Sequence, residues 1–290
     1  MPVIAHPWDP AGHMLVEQIA WTQMKPEVRT RATELVRSLE NTYNEGRPYN
    51  FVTAGAWMDD MRSKKGYAWS RWHYVNIDWT PDGAAFSLPE PPHVVWAIGE
   101  SLKTLKAADT APEKASEALA MVMHFVGDVH QPMHATDRGD RGGNGVLIHG
   151  VPFSDLWPGT VANLHAYWDK AFRFDKTGEK IAEAWQCPAT PGRPGSTDEG
   201  IIAEQAAKII AKFPAASLSA EIAQMDPMEW ARESHRLGCV AGYPAGFEPS
   251  DHQAVELSGD FAIKSRAIAE RQIALAGHRL ARILNESLSR

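Results

Sequence analysis

Apolar residues recur at helical spacing along most of the chain, and no segment shows the sustained alternation of a strand. Near the amino terminus, for example, Ala11, Leu15 and Ile19 fall close to one helix face. The pattern predicts helices over residues 11–24, 26–39, 51–61, 113–130, 161–172, 177–185, 198–213, 217–224, 228–237 and 251–288, the last interrupted only by two glycines. We therefore expect an all-α fold, a multi-helix bundle.

The segment 113–130 is long, free of glycine until Gly127 and rich in Ala, Met, Leu and Val, which predicts a buried central helix. Proline and glycine concentrate in residues 80–92, 137–158 and 187–196, which we interpret as loops. The helices on either side of the last loop are alike in composition. No domain boundary is visible, so we predict a single domain over residues 1–290.

Length, hydropathy and charge exclude some classes of protein. With 290 residues, 44% of them hydrophobic, the chain can bury a sizeable core. No apolar run approaches the roughly 18 residues needed to span a bilayer, so we predict no membrane span. The formal net charge of -7 argues against binding nucleic acid through a broad basic face. An acidic chain can still bind a polyanion where bound metal supplies positive charge locally.

Two features leave the cellular location open. Cys187 and Cys239 are too few for a disulfide framework, and they form either one bridge in an exported protein or two buried thiols. Residues 1–7 lack the basic start and the apolar stretch of a signal peptide, so either the protein is cytoplasmic or the natural chain begins at another position.

Two pairs of residues at helical spacing point to metal chemistry. His124 and Asp128 lie four residues apart and share a helix face, as do His165 and Asp169, and His134 follows a bend at a proline. One such pair arises often by chance, as a surface pair or a buried histidine satisfied by a carboxylate. Two pairs, one of them on an apolar helix that buries it, favour a metal site.

The ligand types indicate which metal. Imidazole nitrogens mixed with carboxylate oxygens, without thiolate, suit zinc, with manganese or iron as alternatives. A catalytic zinc usually takes three protein ligands and keeps one position for water. Because the chain offers more ligands than one ion needs, we expect more than one ion.

Motifs along nearly the whole chain resemble those of the S1/P1 nucleases and, more distantly, of the zinc-dependent phospholipases C. They are Trp8-Asp-Pro-Ala-Gly-His13, Trp57-Met-Asp59, His73-Tyr-Val-Asn76, His124-Phe-Val-Gly-Asp128-Val-His-Gln-Pro-Met-His134, Gly142-Gly-Asn144, Asn163-Leu-His165, Trp168-Asp169, Trp230-Ala-Arg-Glu-Ser234 and Ala276-Gly-His-Arg-Leu-Ala281-Arg-Ile-Leu-Asn285. They occur in the order expected for that family.

The resemblance implies three zinc ions. Asp59, His73, His124 and Asp128 would hold the first, His134, His165 and Asp169 the second, and His13, Asp128 and the main chain of Trp8 the third. Asp128 would then bridge the first and third ions. By the same resemblance, Asp59 and Asp128 would be catalytic through the metal cluster. The remaining histidines match no ligand position, and we interpret His130 as a packing or outer-sphere residue.

The resemblance also implies an activity. A metal-bridging hydroxide would hydrolyse phosphodiester bonds in single-stranded DNA and RNA, leaving 5′-phosphates, and 3′-nucleotides would be substrates as well. Tyr74 is the candidate platform for a stacked base, and Asn144 the candidate for a hydrogen bond to one, although either residue can equally serve packing or a turn. We expect a monomer without a stable protein partner, secreted or periplasmic by family resemblance.

Two positions depart from the family pattern. Fungal members carry Asp where this chain has Asn76, which predicts weaker positioning of water or substrate there. The third zinc of the family uses the free amine of the mature terminus, and here Pro7 precedes Trp8. The resemblance therefore implies that residues 1–7 are removed, and without trimming we predict a weak third site.

Two other functions compete with this one. A zinc-dependent phospholipase C would use the same cluster on lipid headgroups, but the family pattern expects Glu in place of Asp169. A non-catalytic protein stabilised by zinc would instead show closed tetrahedral sites. The many ligands without cysteine favour the nuclease.

Overall fold

The computed structural model describes residues 8–39, 49–62, 68–149, 163–173, 198–248 and 254–289. Within these ranges the helices are α1 Pro10–Gln23, α2 Pro26–Arg37, α3 Phe51–Ala54, α4 Trp57–Arg62, α5 Val94–Lys106, α6 Pro112–Val129, α7 Leu164–Trp168, α8 Asp198–Lys212, α9 Ser219–Ala223, α10 Pro227–Ala241 and α11 Gly259–Ser287. Short 3-10 turns cover Ser70–His73, Pro132–His134, Ala171–Arg173 and Ala215–Leu218. The all-α prediction is confirmed.

Local sequence explains where several helices begin. Helices α1, α2, α6 and α10 each start at a proline, whose fixed φ suits the first turn and whose missing N–H needs no partner there. Asp9 caps α1 by accepting a hydrogen bond from the Gly12 amide, and Ser258 caps α11 by accepting one from the Phe261 amide.

The core forms around α6, which is buried along most of its length, as predicted for residues 113–130. This helix packs along α5 and also contacts α1, α2 and α11. Helix α1 in turn packs against α8 and α11. The indole side chains of Trp57, Trp168 and Trp230 are completely buried in this core. Among the described helices, none has an apolar stretch long enough to cross a bilayer.

The segment predicted as one helix over 51–61 is broken into α3 and α4. In a continuous helix the Gly55 carbonyl would accept a hydrogen bond from the Asp59 amide. Here the Asp59 amide donates to Ala56 O at 3.1 Å, and the Gly55 carbonyl accepts from His124 Nδ1 at 2.7 Å. A tertiary hydrogen bond thus replaces a local one.

Helix α5 was missed by the sequence analysis. Its signal was present: His93 Nδ1 accepts from the Trp96 amide as an N-cap, and the buried residues Val94, Ala97 and Ile98 recur at helical spacing. The helix predicted for 251–288 begins only at Gly259. The described residues also include two short strands, which no alternation in the sequence indicated. Ile148–His149 and Val255–Glu256 form a two-residue parallel pair, joined by backbone contacts between distant segments.

Some predictions concern residues outside the described ranges. The helix over 177–185, the loop over 187–196, residues 1–7, His6, His252 and Cys187 all lie there. Cys239 is buried, with its Sγ 3.5 Å from His235 Nε2. Whether Cys239 pairs with Cys187 therefore stays open.

Candidate metal centre

Asp128, near the carboxyl end of α6, lies at the centre of a group of histidines. Its Oδ2 is 3.0 Å from His73 Nδ1 and 3.3 Å from His124 Nε2. Its Oδ1 is 3.5 Å from His13 Nε2 and 3.7 Å from His134 Nδ1. All five side chains are buried, so the two carboxylate oxygens face different histidines in a water-poor environment.

His13 reaches this group because α1 crosses α6 at a glycine. A Cβ at Gly127 would lie 2.9 Å from His13 Nδ1, closer than side chains tolerate, so the glycine is needed for the approach. The His13 ring stacks on the His124 ring with centroids 3.9 Å apart. Trp8 is anchored at the same crossing, since its Nε1 donates to Gly127 O at 2.9 Å. The start of α1 is thereby held beside Asp128.

Asp59, on α4, adds a second carboxylate. Its Oδ1 is 4.0 Å from His124 Nε2, and ligand atoms of Asp59, His13 and His124 all lie within 4.8 Å of one another. Ligand atoms of His73, His124 and Asp128 meet the same limit. The residues that the sequence analysis divided between a first and a third ion thus form one continuous cluster around His124 and Asp128.

A further group contains His134, His165 and Asp169. Asp169 Oδ1 lies 3.8 Å from Nε2 of each histidine, and the two rings stack with centroids 5.0 Å apart. Burial raises the pKa of Asp169 to about 7. Its Oδ2 is buried and has no hydrogen-bond partner among the described residues. A buried carboxylate of this kind is well suited to a cation, which would offset the desolvation.

Gln131 supports this group, although the sequence analysis did not single it out. Its Nε2 donates to Asp169 Oδ1 at 2.8 Å, and the Gln131 side chain is completely buried. The signal in the sequence was its place between Asp128 and His134, inside the motif that carries the ligands.

Backbone carbonyls orient three of the histidines. Nδ1 of His124, His134 and His165 lies 2.7, 2.8 and 2.6 Å from the carbonyl oxygens of Gly55, His73 and Gly142, respectively. A histidine that donates its Nδ1 proton to a carbonyl presents an unprotonated Nε2. Metal-binding histidines in proteins usually show this outer hydrogen bond. The arrangement fits a metal centre, and the donor set suits zinc.

The Gly-rich loop that supplies the Gly142 carbonyl is held by a carboxylate. Asp137 Oδ1 accepts hydrogen bonds from the amides of Gly139, Asp140 and Arg141 at 2.9 to 3.0 Å. Asn144, the candidate for a base contact, donates from Nδ2 to Arg141 O at 2.8 Å. The Asn144 amide therefore supports the turn, and its contact with a base stays a prediction.

Tyr74 and Asn76 follow His73 on a segment beside the second group. The Val75 amide donates to His134 O at 2.7 Å, which ties this segment to the chain that carries His134. Tyr74 is half-buried and Asn76 is exposed. Both residues therefore keep surface open to solvent on a segment that begins at His73.

His130 lies in the packing between α6 and α11. Its Nδ1 donates to Val126 O at 2.7 Å, and its Nε2 accepts from Arg279 at 2.8 Å. Burial and the Arg279 charge lower the pKa of His130 well below its usual value, consistent with a neutral ring. Of the other described histidines, His235 lies within hydrogen-bond distance of the carbonyls of Ala135 and Ala85, and His278 of the carbonyl of Phe213.

Comparison with known proteins gives the family. The model of the family described as S1/P1 Nuclease matches residues 8–289. Endonuclease 2 of Arabidopsis thaliana is 32% identical over 179 residues, which cover 57% of this chain and 55% of that protein. Nuclease P1 of Penicillium citrinum is 24% identical over 293 residues, covering 96% and 97%. Nuclease S1 of Aspergillus oryzae is 27% identical over 172 residues, covering 58% and 53%.

Proposed function

Because the chain belongs to the S1/P1 nuclease family, we propose that it is a zinc-dependent nuclease acting on single-stranded DNA and RNA. It would leave 5′-phosphates and also act on 3′-nucleotides. The observation that carries this proposal is the cluster of five buried histidines with Asp59, Asp128 and Asp169, formed by the two groups that meet at His134. The relatives named as nucleases and endonucleases support hydrolysis of phosphodiester bonds.

We propose three zinc ions. The first is assigned to Asp59, His73, His124 and Asp128, the second to His134, His165 and Asp169, and the third to His13, Asp128 and the main chain of Trp8. The two oxygens of Asp128 face His124 and His13 separately, which supports its role as the bridge between the first and third ions.

The third ion depends on the amino terminus. A peptide nitrogen that follows Pro7 cannot replace a free amine, so we propose that export removes residues 1–7 and leaves Trp8 first. In support, the family match begins at Trp8, and the Asp9 amide donates to Asp169 O at 3.1 Å, which holds this end of the chain at the cluster. This proposal places the protein in the periplasm or outside the cell, and we separately propose that it is a single-domain monomer.

Bound zinc would supply a Lewis acid that polarises phosphoryl oxygens and lowers the pKa of water. The protein residues have separate roles. Asp59, Asp128 and Asp169 would offset the charge of bound cations, and the five histidines would supply neutral nitrogen ligands. Cations in the cluster also explain how a chain of net charge -7 would attract a polyanion.

Tyr74, Asn76 and Asn144 are the proposed substrate contacts. A half-buried tyrosine beside His73 can stack a base of any identity, which favours single strands over a stiff duplex. Asn76 is exposed, and Asn144 follows Gly142, whose carbonyl faces His165; we propose that both side chains form hydrogen bonds with the substrate. Fungal members carry Asp at the position of Asn76, so we expect this substitution to change the rate of hydrolysis relative to those enzymes.

Adjacent aspartates on α4 provide a matched test. Asp59 faces His124, whereas Asp60 accepts a hydrogen bond from Tyr49 OH at 2.6 Å. The zinc content of Asp59→Asn and Asp60→Asn would be measured by elemental mass spectrometry, and cleavage of single-stranded DNA, RNA and phosphatidylcholine would be compared. We expect Asp59→Asn to lose zinc and nuclease activity while its helical circular dichroism signal is kept, and Asp60→Asn to retain both.

Other outcomes would contradict the proposal. A wild-type protein without zinc excludes it, and hydrolysis of phosphatidylcholine without hydrolysis of nucleic acid would show a phospholipase C. Unfolding of Asp59→Asn, together with no nuclease activity in the wild type, would indicate that zinc has a purely structural role.

A further inference from the structure

Glu17 is a buried acidic residue that the proposed zinc assignment does not use. It lies on α1, one helical turn after His13, and its side chain is completely buried. Neither carboxyl oxygen has a hydrogen-bond partner among the described residues. Burial raises the pKa of Glu17 well above its usual value, and the charge of Asp128 adds to this. Burying such a group is costly, so its position calls for an explanation.

The Glu17 carboxyl packs directly against Gly55. A Cβ built at Gly55 would overlap the carboxyl carbon and both carboxyl oxygens of Glu17. The carboxyl ends a flexible side chain, but with no exposed surface it cannot turn out to solvent without disturbing α1 and its neighbours. The Glu17 carboxyl therefore occupies the space that a side chain at position 55 would need.

Gly55 in turn orients a proposed zinc ligand. Its carbonyl accepts the hydrogen bond from His124 Nδ1 that leaves Nε2 facing Asp128, 3.3 Å away. Gly55 also ends α3, and Asp59 follows within the first turn of α4. A shift of Gly55 would therefore move both His124 and Asp59. Outer contacts of this kind commonly change metal affinity by about 10- to 100-fold.

We propose that Glu17 is a positioning residue of the first zinc site, acting through its contact with Gly55 on the orientation of His124. This inference rests on the proposed zinc function. It concerns the shape of the side chain rather than its charge, and it assigns to α1 a second role beside presenting His13.

Removing the side chain at position 17 and adding a methyl group at position 55, singly and together, tests the contact between Glu17 and Gly55. The variants are Gly55→Ala, Glu17→Ala, the double variant and Glu17→Gln, and zinc affinity is measured by competition with a chromophoric chelator. We expect each alanine variant to weaken zinc binding about tenfold or more. The double variant should recover to within about threefold of the wild type, because the alanine methyl at 55 occupies space vacated at 17. Glu17→Gln keeps the shape and should bind zinc like the wild type.

The possible results distinguish the positioning role of Glu17 from the proposed zinc function. If the wild type binds zinc but the losses of the two single variants multiply in the double variant, the positioning role is wrong. A loss for Glu17→Gln as large as for Glu17→Ala would also overturn it, since charge would then matter more than shape. If Gly55→Ala does not fold, recovery of folding in the double variant supports the contact, and failure of both contradicts it. A wild type that binds no zinc refutes the proposed function itself.

Discussion

The close contact between α1 and α6 at Gly127 predicts that a side chain at this position would disturb the packing of His13. Replacing Gly127 by alanine places a Cβ 2.9 Å from Nδ1 and 3.1 Å from Cε1 of His13. The His13 ring is completely buried and stacked on His124, so it cannot move without disturbing that pair. We expect the substitution to push the two helices apart or to rotate the His13 ring.

The magnitude follows from two opposing effects. Overpacking a buried position costs roughly 1–3 kcal/mol. Replacing glycine by alanine inside a helix returns about 1 kcal/mol through propensity. The expected net result for Gly127→Ala is a loss of about 0–2 kcal/mol in the free energy of unfolding. If His13 binds zinc as proposed, the variant should also lose affinity for one ion.

Gly99→Ala is the matched control, since Gly99 is an exposed position within α5 and a Cβ there meets nothing within 4 Å. This variant should gain about 0.5–1 kcal/mol. Both would be compared by denaturant unfolding of the metal-free protein and then by zinc titration. Equal stabilisation of the two variants, with unchanged zinc binding, would refute the reasoning about the crossing.

Two further predictions concern the second group and the substrate. Burial raises the pKa of Asp169 to about 7, so the stability that its neutral form contributes is fully present below the usual aspartate pKa of roughly 4 and is lost as the pH rises through 7. Metal-free wild type should therefore lose stability relative to Asp169→Asn over that range, by on the order of 4 kcal/mol; parallel pH curves of thermal unfolding would contradict this. Tyr74→Leu should raise KM for a single-stranded oligonucleotide by an amount equivalent to about 1–3 kcal/mol, whereas Tyr74→Phe retains stacking; equal KM values for both variants would exclude a stacked base.

The helical fold could be predicted because helix formation depends on local spacing. The i, i+4 relation of His124 to Asp128, and of His165 to Asp169, follows from 3.6 residues per turn and holds in the structure. Prolines at helix starts and the apolar length of α6 are equally local. The motifs along the chain also identified the S1/P1 nuclease family, which the family match confirms.

Tertiary contacts decided what local spacing could not. His13 and Asp59 join the cluster only because α1 and α4 pack beside α6, and neither residue stands at a distinctive spacing from the others. The break between α3 and α4 exists because His124 takes the Gly55 carbonyl, a partner 69 residues away in sequence. Glu17 reads in the sequence as an ordinary polar residue of an amphipathic helix, yet it is buried against Gly55.

The physical reason is the range of the interactions. Hydrophobic periodicity and capping act within a few residues, so the sequence by itself determined the helices and the spacing of ligands within each one. Burial, close helix crossings and hydrogen bonds between distant residues depend on how those helices pack. Only the tertiary structure therefore decided that Asp128 also faces His13, His73 and His134, and that Glu17 packs against Gly55.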